Sequence, residues 1–151
     1  MFKPLGILAA LMFSVAAVGA SAPYDESANA NATLQRGLEQ ARASGKDVLV
    51  VFGANWCPDC RELDKALHGR SAPLINAHFV VVKIDVGNFD KNSDVVKRYG
   101  YPTAKGIPAA VVLTPRDKII YATRAGELAD ARHMGDEGIY DFFSKVVAAH
   151  H

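Results

Sequence analysis

Cys57 and Cys60 are the only two cysteines in this chain, and Pro58 and Asp59 separate them. Two thiols at that spacing can close and reopen a disulfide within one turn of backbone, so reversible two-electron exchange is the first chemistry to consider. Two other uses compete. A permanent staple here would do little, because a four-residue ring stabilises a fold by only ~2 kcal/mol, against ~4.7 for a loop of about 100 residues. Half of a zinc site would call for a second Cys-x-x-Cys or a His-x₃₋₅-His, and the nearest histidines, His68 and His78, have no such ligand spacing.

For the exchange chemistry one sulfur has to be ionised, and the flanking residues predict how. An apolar run at 48–52 reads as a buried strand, and residues 61–68 read as an amphipathic helix, so the cysteines occupy a strand-to-helix turn. With Cys57 as the helix N-cap, Pro58 falls at the first helical position, where a missing N–H costs nothing. The Cys57 sulfur can then accept from the free N–H groups of Asp59 and Cys60, and the positive end of the helix favours the thiolate that attacks disulfides. Cys57 is therefore expected to attack, and Cys60, one turn further in, to resolve the mixed disulfide. Trp56, immediately before the reactive cysteine, is expected to shield one side of the sulfur and to offer a substrate contact.

The first residues bear on where this happens. Lys3 precedes an uncharged apolar stretch at 5–18 and the small-x-small site Ala20-Ser21-Ala22, which reads as a secretory signal peptide over 1–22, too short to span a membrane comfortably. Neither a lipid-anchor cysteine nor a twin arginine accompanies it, so the expectation is an exported, periplasmic or extracellular protein with no stable membrane anchor. The full chain carries 17 basic and 16 acidic residues. Removing Lys3 with the leader leaves these in balance, which gives no footprint for nucleic acid or an anionic membrane. In an oxidising compartment, a lone pair too close together to brace the fold points to a working dithiol.

Behind the leader, residues 23–32 are small and polar and read as a flexible arm, and 33–151 as a single domain. Leu34, Leu38 and Ala41 recur at helical spacing until Ser44-Gly45. After the helix that follows the cysteines, Ser71-Ala72-Pro73 looks like a fresh cap for a short helical piece. Residues 79–86 form the next strand, and 93–100 a capped helix with Val95, Val96 and Tyr99 inward. Pro108 opens a strand at 109–113, and turn residues at 114–118 lead to an antiparallel partner at 119–123. The stretch 126–138 is poorly patterned. Ile139, Phe142, Phe143, Val146 and Val147 then mark a last helix. The order implies an α/β fold: a central mixed sheet of about four strands, ending in an antiparallel hairpin, with helices on both faces.

Trp56-Cys57-Pro58-Asp59-Cys60 after a buried strand, Lys83-Ile84-Asp85 ending the next one, Tyr99-Gly100, and Gly106-Ile107-Pro108-Ala109 before the hairpin occur here in one order. In that order they resemble a thioredoxin-fold protein over nearly all of the chain behind the leader, and among such proteins the exported ones are similar to periplasmic thiol:disulfide exchange proteins. The resemblance implies Cys57 as nucleophile, Cys60 as resolving thiol, and Pro108 in a cis bond facing them. It also implies that the Ile107 backbone pairs with the substrate chain. No cofactor is expected beyond the Cys57–Cys60 redox-active centre itself, and no metal. The expected partners are protein thiols and disulfides, together with a membrane redox partner for recycling.

Three departures stand out. Val51 occupies the position where such proteins usually carry a buried Asp, and Val81 that of its usual Lys neighbour. The dipeptide between the cysteines is Pro58-Asp59, and the loop at 101–105 is three residues longer than usual. At ~7 Å in water, Asp59 opposes a Cys57 thiolate by roughly 0.5 kcal/mol, while the helix end favours it by ~0.3–1 kcal/mol. With no His or Lys between the cysteines, the lean is towards reductant or isomerase rather than strong oxidant. Glu62 and Asp64 are candidates to move the Cys60 proton through water, although Glu62 points to another face. The alternative is a binding module of the same fold with an inert or metal-holding pair. A reduction potential well below about −300 mV would mark an inert bond, and one between about −120 and −270 mV a working couple.

Overall fold

The computed structural model describes residues 22–151, and of the expected leader over 1–22 only Ala22 falls among them. Strand β1 (Asp47–Gly53) is the centre of the fold, because Val48 to Phe52 are all buried and so require cover on both faces. Strands β2 (Phe79–Asp85), β3 (Ala109–Leu113) and β4 (Ile119–Ala122) join it in a four-stranded sheet of order β2-β1-β3-β4. β1 and β2 are parallel, whereas β1–β3 and β3–β4 are antiparallel. A parallel pair needs a crossover, and here it is made by α2 (Pro58–His68) and α3 (Ala72–His78). The remaining helices are α1 (Ala30–Ser44), α4 (Ser93–Arg98) and α5 (Ala131–His150).

Alternation along β1 divides the core. Val48, Val50 and Phe52 pack with Leu34, Leu38 and Ala41 of α1 and Val95 of α4, and Leu49 and Val51 pack with Leu63 and Leu67 of α2, Ile75 of α3, and Ile139 and Phe143 of α5. The two layers hold the end of β1 from both sides and so fix where the cysteine turn emerges. The mixed sheet, the terminal antiparallel hairpin and the helices on both faces are as the patterning predicts.

Several local expectations change. α1 begins at Ala30, inside the stretch read as an arm, because Asn29 caps it with a side-chain oxygen that accepts from the Ala32 N–H at 2.9 Å. Residues 23–32 were expected to form a flexible arm, yet Tyr24 is buried and its backbone is held on both sides by Asn55. One aromatic ring with a place to bury outweighs a small, polar composition. Ser71 stands at the N-cap of α3 but makes no capping bond, and its hydroxyl is buried without a partner. α5 starts at Ala131 and is broken at Gly135 (φ 62°, ψ 178°), which is why no helical period is readable there.

Candidate active site

β1 ends at Gly53, and the chain turns through Ala54, Asn55 and Trp56 to place Cys57 at the N-cap of α2 with Pro58 at the start of the helix. Cys57 has extended backbone (φ −80°, ψ 114°), as an N-cap does, and its sulfur accepts from the Cys60 N–H at 3.1 Å. Of the two donors expected for it, Cys60 N–H is the one that reaches. The sulfurs are joined as a disulfide across a Cα–Cα distance of 5.2 Å. Cys57 keeps 3% of its surface exposed and Cys60 none, so an attacking molecule can reach only the first sulfur.

The Ile107–Pro108 peptide is cis, and the Ile107 carbonyl oxygen lies 3.7 Å from Cys57 Sγ. The loop over 101–105 leads into this bond and leaves Tyr101 54% exposed. Trp56 is 52% exposed, so it is a surface residue beside the sulfur rather than a core aromatic. Its indole N–H donates to the Gly87 carbonyl at 2.8 Å, and its ring meets Phe89 edge-on at 6.4 Å between centroids. Phe89 itself stands in the left-handed region (φ 63°) and is 56% exposed. Asp85 and Asp90 hold its loop by accepting from the Gly87 and Asn88 N–H groups. Phe89 was not among the residues expected from sequence, since a lone aromatic in a polar loop carries no periodic signal.

Asp59 turns away from solvent towards the start of α5, where its Oδ1 accepts from the Arg132 backbone N–H at 3.0 Å and from the guanidinium Nε at 3.2 Å. Burial alone would raise this carboxyl. The hydrogen bonds and charge of Arg132, with the charge of His133, outweigh it and hold the group below the ordinary carboxylate range. One turn along α2 from Cys60, Asp64 pairs with Lys83 of β2, both side chains about three-quarters buried. Lys83 is the register partner of Val51 and lies two residues beyond Val81, so an Asp–Lys pair is present here between α2 and β2 although 51 and 81 are both valine. Asp85, the partner of Gly53, is 5% exposed, with Lys91 Nζ 3.6 Å from its Oδ2. No three His, Cys, Asp or Glu side chains among the described residues are grouped as a metal site requires.

A family model described as thioredoxin-like matches residues 29–115. The crystal structure of a disulphide isomerase from Xylella fastidiosa is 50% identical, covers 85% of this chain and 99% of that one, and superposes with a TM-score of 0.82. The thiol:disulfide interchange protein DsbD of a Pseudomonas species is 34% identical over 71 residues, which is 47% of this chain and 12% of that protein. Protein disulfide-isomerase of Gallus gallus is 26% identical over 113 residues, 73% of this chain and 22% of that protein. Thus the chain spans less than a quarter of the length of these two curated relatives. With its redox pair at a helix N-cap beside a cis-proline, on a sheet of this order, the chain belongs to the thioredoxin-like family.

Proposed function

We infer that Cys57 and Cys60 form a working two-electron couple: the protein is a thiol:disulfide oxidoreductase that exchanges electrons with protein disulfides. The observation that carries this reading is the placement of Cys57, which combines a helix N-terminus, a backbone donor at 3.1 Å and a small exposed edge beside cis-Pro108. In the reducing direction the Cys57 thiolate attacks a substrate disulfide, one substrate sulfur leaves, and a mixed disulfide forms. Cys60 then attacks Cys57 Sγ, which closes the internal disulfide and releases the second substrate sulfur. Both electrons end on the substrate. Trp56, Ile107 and Pro108 form the rim where the substrate chain lies, while Pro58 and Asp59 set the properties of the couple.

The protein works outside the cytoplasm, in a periplasm, as a reductant or isomerase. The leader-like 1–22 stretch and the likeness to DsbD support the location, and the likeness to disulfide isomerases supports the direction. A reductant has to be recharged, and a membrane electron donor is the partner that this compartment offers.

Cys60→Ser tests the reading. Without the resolving thiol, substrates should remain on Cys57 as mixed disulfides that survive alkylation and non-reducing electrophoresis. They should disappear on reduction and be absent from Cys57→Ser. If Cys60→Ser protein recovered from its native compartment carries no such adducts, the exchange function is wrong.

A further inference from the structure

Cys60 has to lose its proton where solvent does not reach. Its side chain is fully buried, and a thiolate formed there needs a nearby donor to offset its charge. Such a donor comes from the segment before α1. A Cβ added to Gly53 would lie 2.9 Å from Cys60 Sγ and also under 3.0 Å from the Tyr24 hydroxyl. The absent side chain at Gly53 therefore leaves one small space shared by the phenol and the sulfur, within the span of a single bridging water.

The phenol is held there. Tyr24 N–H donates to Asn55 Oδ1 and Asn55 Nδ2 donates back to the Tyr24 carbonyl, both at 2.9 Å. Asn55 also donates to Glu26 Oε1 at 3.2 Å and accepts from Arg61 Nη1 on its carbonyl at 2.8 Å. The arm is thus tied to the turn that carries the cysteines. The charged groups that act on the phenol are Asp64 from α2, paired with Lys83 of β2, and Asp85 of β2, beside Lys91. Burial first, and then the Asp64 and Asp85 charges, push the phenol far above its usual range. It keeps its proton and so has an O–H to donate.

We propose that the Tyr24 hydroxyl is the hydrogen-bond donor to the Cys60 sulfur in the resolving step, which makes the segment before α1 part of the active site. The proposal rests on the exchange function inferred above. In the step, the Cys60 S–H bond breaks, a Cys60–Cys57 bond forms, and the Cys57–substrate bond breaks. The departing substrate thiolate gains the equivalent of the proton that Cys60 loses, so no further oxidant or acid is consumed. Tyr24 retains its own proton throughout and stabilises the transient negative sulfur.

The test is Tyr24→Phe, which keeps the ring and removes the donor. Reduced protein is mixed with excess of a disulfide-bonded peptide and quenched in acid at intervals, and the mixed and internal disulfides are quantified by mass spectrometry. In Tyr24→Phe the mixed disulfide should persist about tenfold longer or more, the size expected for losing a hydrogen bond to a charged group. The pH profile of resolution should move to higher pH, while the rate of Cys57 alkylation, measured in a Cys60→Ser background, stays at the parent value. Resolution at the parental rate with an unmoved profile would overturn the role of Tyr24, as would an equal loss in both steps. If Tyr24→Phe does not fold, Asn55→Ala, which unties the arm, must show the same selective slowing, and its absence is equally decisive. If the parent protein itself never resolves a mixed disulfide, it is the exchange function that fails.

Discussion

The two sulfurs of one disulfide sit in opposite surroundings. On the Cys57 side the chain leaves large apolar groups in water: Trp56, Phe89 and Tyr101 are each more than half exposed, and two of the three stand on left-handed backbone. On the Cys60 side a buried phenol from the arm shares the space at Gly53, and the charges of Asp64 on α2 and of buried Asp85 on β2 act on that phenol. One surface leaves its apolar area available to a partner. The other handles charge where water is excluded and every polar group needs a specified neighbour. A three-residue spacing is enough to separate the two tasks, because the helix start points one sulfur outward and turns the next inward.

The sharpest way to break that division is to fill the Cys60 side. Gly53→Ala places a methyl group in the space shared by Tyr24 and Cys60. It should cost about 1–3 kcal/mol of stability, as overpacking does, measurable as a lower denaturant midpoint. Resolution by Cys60 should slow along with it, while first attack by Cys57 keeps its rate. If both steps slow equally, the two sides are one unit and the division is wrong.

How far the sequence reveals this division depends on the range of each interaction. The cap at Cys57 with Pro58 behind it, the buried run of β1 and the alternation that shares it between two core layers are local, and local spacing encodes them. Pro108 was placed by resemblance, and the cis bond is where that resemblance implies. Tyr24 shares the space at Gly53 with Cys60 from another segment, Asp64 meets Lys83 across 19 residues, and Arg132 meets Asp59 across 73. Polar pairs of that kind leave no periodicity, and only the folded sheet brings them together. The same holds for Phe89, whose exposure follows from a loop conformation that side-chain bonds to backbone fix.

The Cys57 side can be weakened separately. Phe89→Ala removes a mostly exposed ring, so stability should stay within about 0.5 kcal/mol of the parent. If Trp56 and Phe89 form the rim on which substrate chains settle, KM for a protein disulfide should rise about fivefold, the effect of one aromatic interface contact. The rate with glutathione disulfide, which is too small to span the rim, should change less than twofold. Equal losses with both substrates would assign Phe89 to loop structure instead.

The smallest effect concerns the residue between the two sides. Taken alone, Asp59 opposes a thiolate on Cys57, but Arg132 holds that carboxylate at the start of α5 and offsets its charge. Arg132→Ala should therefore raise the Cys57 thiol pKa and slow its alkylation at neutral pH by less than threefold, since the guanidinium is 54% exposed and largely screened. Adding Asp59→Asn to Arg132→Ala should restore the parental rate, because the charge left uncompensated is then gone. Stability has a defined sign as well. The folded Asp59 carboxyl lies below its ordinary 3.8, so the pairing contributes fully above that value and fades as pH falls through the lower folded one. The difference in Tm between the parent and Arg132→Ala should accordingly be greatest near neutral pH and shrink in acid below about pH 4. A difference that grows on acidification would mean that Arg132 supports α5 by packing and leaves the charge beside Cys57 untouched.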